Sequence, residues 1–201
     1  MRIELPGGVA VDMFKALDIA RGRDAMRVAL SGVNWEIVGG VHTFTTTDSY
    51  RLHTVTVPDP TATYEDSVLL SGDVVKAVQV AAKAVGKNGT VLLELADTHL
   101  PRHCDVSGKL TYRPITRVTV NILNNEFPTC RSIIDGANDI ELPALFNGKY
   151  LGGLIDAATL WAGKDKPVTV ESIHASKPGR VTSTNNVGTF TGVLMPQRGD
   201  K

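Results

Sequence analysis

Cysteine is scarce in this chain: Cys104 and Cys130 are the only two in 201 residues. With no export signal at the start, MRIELPGGVAVD, reduced and partly buried thiols are favoured over a disulfide. A zinc site would need other clustered ligands, and His99, His103 and Cys104 are the only near grouping. Aromatic residues make up 5% of the chain, so the core must come mostly from aliphatic side chains. Neither sign of charge is in excess, 21 basic against 21 acidic residues, which argues against gripping nucleic acid by bulk positive charge. No apolar run approaches the length of a membrane span, so a cytoplasmic chain with no membrane partner is expected. The pairs Gly7-Gly8, Gly39-Gly40 and Gly152-Gly153 lack the spacing of a phosphate-binding loop, and no nucleophile elbow or metal motif is present.

What the chain does contain is a recurring order of elements. Arg2 to Leu5 alternates as a strand, Pro6-Gly7-Gly8 breaks it, and Val11, Phe14 and Leu17 mark one helical face with Asp12 in its first turn, ending near Arg21-Gly22-Arg23. Strands are expected at 28–38, 41–47 and 51–57, closed by Pro58-Asp59-Pro60. The order then repeats. Ser67 to Leu70 is a strand, Ser71-Gly72-Asp73 a cap, and Val74, Val75, Val78, Ala82 and Val85 a helical stripe ended by Gly86 to Gly89. Strands at 90–96, 100–106 and 111–122 follow. A third pass opens with a strand from Asp139 to Phe146 and a cap at Asn147. Leu151, Leu154, Ile155 and Ala158 then form an apolar face ending near Gly163, before strands at 167–173, 179–184 and 189–195.

The stretch Leu30 to Leu52, LSGVNWEIVGGVHTFTTTDSYRL, is the most informative. Val33, Trp35 and Ile37 alternate with Asn34, Glu36 and Val38, and Gly39-Gly40 suits a tight hairpin turn. Its second strand runs into Thr47-Asp48-Ser49-Tyr50-Arg51-Leu52, where small polar residues meet side chains able to wall a shallow groove. This segment resembles the bacterial DNA polymerase III sliding clamp (beta subunit) family, in which "Leu-x-Gly-x-x-x-Glu, turn, Thr-Asp-x-x-Arg-Leu" carries half of the pocket that docks clamp partners. Three further phrases resemble the same family: Asn125 to Ile134, which ends a domain; Phe146-Asn147-x-Lys149-Tyr150-Leu151, which opens the last half-domain; and Val193-Leu194-Met195-Pro196-Gln197-Arg198, which closes it.

The resemblance implies an α+β clamp fold of strand-helix-strands units, helices on one face and antiparallel sheets on the other. Residues 1–134 (units 1–58 and 66–134) would form a complete clamp domain and 139–201 half of another, in a short, phage-like version. It also implies a partner-peptide pocket with Leu30, Thr47, Ser49, Tyr50, Arg51 and Leu52 on one wall and Val193, Met195, Pro196, Gln197 and Arg198 on the other. Gln197 stands where an apolar residue is often seen. Unaided by the family, Leu30 and Met195 read as core and Arg51 as a solvated strand end.

Lys76, Lys83 and Lys87 share one helical face, while Lys15, Arg21, Arg23 and Arg27 lie on or just after the first helix and Lys149 opens the third. Such a row is ordinarily a helix's wet face; in a clamp it would face duplex DNA and hold phosphates without reading sequence. The expected function is therefore a sliding clamp, a polymerase processivity factor that encircles DNA, binds peptides of polymerase and clamp loader, needs no cofactor and does no chemistry. Three units per chain would make a twelve-unit ring a homo-oligomer of about four copies. The competing expectation is a clamp-derived interaction protein that binds clamp partners without encircling DNA. An enzyme would have to use Asp48, Arg51 and His53, or Asp97 and His99, or Glu126, none of which makes a catalytic geometry from spacing alone.

Overall fold

The computed structural model describes residues 1–86, 88–96, 102–111, 113–135, 145–171 and 177–197. Lys87, Asp97, His99 and Arg198 lie outside the described residues, as does most of the strand expected at 139–146.

The first unit contains β1 (Arg2–Pro6), α1 (Gly7–Ala20), a single 3₁₀ turn (Val28–Ser31), β2 (Val33–Val38), β3 (Val41–Thr47) and β4 (Arg51–Pro58). The second contains β5 (Asp66–Leu70), α2 (Val74–Val85), β6 (Thr90–Ala96), β7 (His103–Leu110) and β8 (Arg113–Asn121), followed by the short helix α3 (Arg131–Asp135). The third contains α4 (Gly148–Ala162), β9 (Thr169–Glu171), β10 (Gly179–Thr184) and β11 (Thr189–Leu194).

Three expectations are corrected. Residues 28–31 turn as a 3₁₀ helix instead of beginning a strand, because Leu30 N bonds Arg27 O and Gly22 N bonds Leu30 O, folding the chain back on the end of α1. β7 runs from His103 to Leu110, past the expected end at 106, and Thr111, at φ 58, forms the turn into β8. α1 starts at Gly7, where Gly7 N donates to Gly89 O, so Asp12 lies in mid-helix and not in the first turn.

The strands exchange between units. β1 pairs with β6, giving a four-stranded sheet β1-β6-β7-β8, while β5 pairs with β2, giving a seven-stranded sheet β5-β2-β3-β4-β11-β10-β9. The first and third units are thus joined edge to edge through β4 and β11. The three long helices fall on one face: α1 lies beside α2 on one flank and α4 on the other, α2 covers the four-stranded sheet, and α1 and α4 cover the seven-stranded one.

The core between these layers is continuous. Phe14 of α1 meets Phe44 edge-on at 5.7 Å, and Phe44 stacks on Trp35 at 5.3 Å, all three fully buried. Each such ring removes one of the chain's largest apolar surfaces from water, worth about 2–3 kcal/mol by area. Asn147 caps α4 by accepting from Lys149 N and Tyr150 N, and Gly163, at φ 98, ends it in a conformation that disfavours any side chain. Ile155, expected on the apolar face, is 39% exposed; Leu154, Ala157, Ala158 and Trp161 carry the packing.

Candidate functional site

The β4–β11 pairing brings the two expected pocket walls together. Val193 lies opposite Leu52 and Leu194 opposite Arg51, and Met195 N donates to Tyr50 O at 3.2 Å. The first wall is held by a compact turn. Asp48 Oδ1 accepts from Tyr50 N and Arg51 N, its Oδ2 accepts from Arg51 Nε at 2.9 Å, and Thr47 Oγ1 donates to Arg51 O at 2.7 Å. Ser49 sits at the tip with φ 79, a left-handed conformation that is costly for a residue with a Cβ.

The expected residues fall into two sets. Leu52 and Val193 are 4% and 2% exposed and pack with Cys130, with Phe127 and Ile134 closing over them; Leu30 and Thr47 are buried too. Leu52 and Val193 form the floor beneath the segment 123–135. Tyr50 (60% exposed) and Met195 (45% exposed) stand open, Pro196 is half-buried and Gln197 is exposed, its backbone N–H bonded to Leu145 O at 2.7 Å.

Tyr150, in the first turn of α4, completes the open part. Its ring stacks on Tyr50 at 5.9 Å, and the Arg51 guanidinium lies 5.0 Å from its centre. Neither Tyr150 nor the covering residues Phe127, Cys130 and Ile134 were expected at the site. The Phe-Asn-x-x-Tyr-Leu phrase was the available signal for Tyr150, since an Asn cap at 147 puts residue 150 on the exit of the first turn. The result is an exposed, ring-lined shelf flanked by Met195 and Leu145, suited to apolar side chains of an extended peptide.

On the helical face, Lys15, Lys76, Lys83 and Lys149 are exposed. The arginines after α1 are engaged: Arg21 donates to Asp18 at 2.7 Å and to Ser31 O at 2.8 Å, Arg23 pairs with Asp18 at 2.7 Å, and Arg27 reaches Asp24 at 3.8 Å and Ser49 Oγ at 3.0 Å. Arg21 is thereby a strut between α1 and the 3₁₀ turn. Burial raises the Asp12 carboxyl above its ordinary range, against the pull of Lys15.

Of the residues an enzyme would need, His53 and Asp48 are spent on structure. His53 is fully buried beneath α1, and burial pulls its pKa down to about 4, so it is neutral near pH 7. Asp48 is committed to its turn. Burial pushes Cys104 up to about 12 and raises Cys130, leaving both as unreactive thiols near neutral pH. Among the described residues no three His, Cys, Asp or Glu side chains converge to hold a metal ion, and no helix is long and apolar enough to cross a membrane.

On the opposite, outer face of the seven-stranded sheet lies a cavity of about 840 Å³, between a threonine-rich floor and the segment 122–134. It shares Phe127, Cys130 and Ile134 with the covered cluster but none of the expected pocket residues.

This architecture has close counterparts. The chain superposes on the beta subunit of DNA polymerase III from Thermotoga maritima with a TM-score of 0.70 at 14% identity, over 100% of this chain and 66% of that one. It superposes on the Pseudomonas aeruginosa beta subunit with a TM-score of 0.68 at 14% identity, over 98% of this chain and 66% of that one. The protein thus spans 66% of the length of these relatives. No curated protein sequence matches it. Residues 4–129 match the family model of the DNA polymerase III beta subunit, central domain, and on that match the chain belongs to the DNA polymerase III beta subunit family.

Proposed function

We propose that this protein acts as a sliding clamp, a processivity factor that encloses duplex DNA and holds a polymerase through a peptide seated on the Tyr50–Tyr150–Met195 shelf. The observation that carries the reading is the layered arrangement. Three helices lie side by side on one face, and the sheet joint that ties the first unit to the third also forms the shelf. One element pair therefore serves ring curvature and partner docking together. Residues 1–134 are read as one clamp domain and 139–201 as half of a second.

The action is topological and needs no cofactor. A closed ring converts repeated encounters between polymerase and template into a local search at high effective concentration. Exposed Lys15, Lys76, Lys83 and Lys149 support sequence-independent contact with phosphates. Ring closure requires further copies or domains, and strands β8 and β9, which end their sheets among the described residues, offer backbone groups for antiparallel pairing. The test is retention on DNA: the protein, loaded on a nicked circle, should stay bound and be lost when the circle is cut. Equal loss from circle and linear DNA rejects the enclosing ring.

One observation favours the second reading, a partner-binding protein that never encloses DNA. The helical row also carries Asp12, Asp18 and Asp156, so its field is weak beside that of a strongly basic surface. Peptide binding with no retention on circular DNA would select it.

A further inference from the structure

The outer face of the seven-stranded sheet carries a regular polar floor. Reading across strands, Thr191, Thr54, Thr45 and Asn34 stand in one row, and Thr189, Thr56, Thr43 and Glu36 in the next. Alternation along each strand sends these side chains away from the helices, because their neighbours Phe190, Val55, Phe44 and Trp35 fill the core. The segment 122–134 roofs the floor and leaves the 840 Å³ cavity beneath it. That volume is within the range of built ligand sites, and hydroxyl and amide groups line the floor while apolar side chains, Phe127 and Ile134 among them, line the roof.

Two groups in the floor are unspent. Asn34 is only 6% exposed, and its side-chain amide makes no hydrogen bond among the described residues. The Glu36 carboxylate is half-buried and has no cation beside it among the described residues, yet its charge reaches the Cys130 thiol across the cavity and helps to raise that group's pKa. Of the two arginines in the lining, Arg102 pairs with Asp66 at 3.3 Å, and Arg131 is engaged as well. A half-buried carboxylate without a counterion, on a floor of neutral hydrogen-bonding groups and with a second carboxylate, Glu126, in the same lining, is a complement waiting for a cation.

We propose that this cavity binds a basic side chain, an arginine, presented by an extended segment of a partner polypeptide, with Glu36 as its anion and Asn34, Thr43 and Thr56 accepting from the remaining N–H groups. A guanidinium offers five donors in a plane, which matches a floor of several acceptors around one carboxylate better than a compact ammonium does. The cavity is several times larger than one arginine side chain, which leaves room for the residues on either side. The site is independent of the clamp reading, since it lies on the face of the sheet away from the helices and uses none of the Tyr50–Tyr150–Met195 shelf.

The test uses the full chain and two acetylated, amidated peptides, Ala-Ala-Arg-Ala-Ala and its glutamine twin, with agmatine as the small cation, followed by calorimetry. The arginine peptide should bind, and both the glutamine twin and the Glu36→Gln protein should lose about tenfold in affinity, the scale of one charge-assisted hydrogen bond. Thr43→Val should cost about threefold and serves as the second variant if Glu36→Gln shifts the melting temperature. Alkylation of Cys130 at pH 9 should slow when the arginine peptide is present, with Cys104 unmodified throughout. Equal binding of both peptides, undiminished binding to Glu36→Gln, or no binding of the arginine peptide at millimolar concentration overturns the proposal. Agmatine binding as tightly as the peptide overturns the polypeptide partner in favour of a small organic cation.

Discussion

His53 donates its Nδ1–H to the carbonyl of Ala16 at 2.7 Å, while its Nε2 is buried with no partner among the described residues. The contact ties β4 to α1 at the joint between the first and third units, and the ring sits edge-on against Phe190 of β11 at 5.1 Å. A proton on Nε2 would place a charge there with nothing to receive it.

Stability should therefore fall on acidification. The folded-state pKa of His53 is pulled down to about 4 by burial, and His42, hydrogen-bonded to Trp35 and Asp59, is lowered in the same direction by the same cause. Between pH 6.5 and 4 the unfolded chain binds more protons, so the contribution is complete above the ordinary histidine pKa and is lost as pH drops through the folded one. For His53 alone the loss is about 3 kcal/mol across that window. Urea melts at pH 7.5, 6, 5 and 4 would measure it. His53→Asn, which can keep the bond to Ala16 O, should be less stable at pH 7.5 by about 1–2 kcal/mol but show a shallower acid limb. An unchanged acid limb would assign the pH dependence elsewhere.

The Asp48-Ser49-Tyr50 turn holds Ser49 at φ 79. Ser49→Gly should stabilise the protein by about 0.5–1 kcal/mol, the relief of the left-handed conformation less the extra entropy of glycine in the unfolded chain. It forfeits only the exposed contact from Arg27. Ser49→Val should lower stability by more than about 1 kcal/mol, since a β-branched side chain is worse there. Denaturant midpoints of the two variants give the comparison.

Gly192 of β11 lies under α4, where an added Cβ would fall 1.9 Å from Leu154 Cδ1 and 3.1 Å from Phe190 Cε1. Gly192→Ala is expected to cost about 1–3 kcal/mol by overpacking the joint between α4 and the sheet. Leu154→Ala, which empties the same space, should cost about 2–4 kcal/mol alone. Combined, the two should cost less than their sum, because the new methyl occupies part of the vacated volume. Additive losses in a double-mutant cycle would mean that the two side chains do not compete for that space.

Much of this architecture was legible in the sequence, and the parts that were not share a physical cause. The stripe Val74, Val75, Val78, Ala82 and Val85 announces α2 because a helix makes its neighbours locally, and all five are buried as the period requires. Alternation around Trp35 and Phe44 announces the hairpin for the same reason. The exchange of β1 into the second unit's sheet and β5 into the first's carries no local signal, since any half-buried strand satisfies the same alternation. The 3₁₀ turn at 28–31 is likewise set by a distant contact, Arg21 Nη1 on Ser31 O. At the shelf, Tyr50, Arg51 and Met195 were readable from their phrases, whereas the burial of Leu52 and Val193 beneath Cys130 depends on where the segment 123–135 crosses the sheet.

The shelf yields a graded prediction. Tyr150→Ala removes both the ring under Tyr50 and the face beneath Arg51, and Met195→Ala removes the exposed thioether beside it. Each change should weaken binding of a short extended peptide bearing leucine and phenylalanine by about 5- to 30-fold, the scale of one aromatic or aliphatic anchor. The melting temperature should stay within a few degrees for Met195→Ala, whose side chain is open to solvent. Fluorescence anisotropy with a labelled peptide decides it, and undiminished binding to both variants would move the docking site away from the β4–β11 joint.

Charge on the helical row should act differently from the shelf. Lys76 and Lys83 lie two turns apart on the exposed face of α2 and make no ion pair among the described residues. Lys76→Glu with Lys83→Glu turns two attractive charges into repulsive ones, so retention on duplex DNA should fall most at low ionic strength, where a Debye length of about 10–30 Å lets each charge reach the phosphates. At about 0.5 M salt the variant and the parent should converge, because counterion release then contributes little to either. Peptide binding at the shelf should be unaffected at either salt. A variant that keeps the parent's retention across the whole range would remove α2 from the DNA-facing surface, and with it the electrostatic support for an enclosing ring.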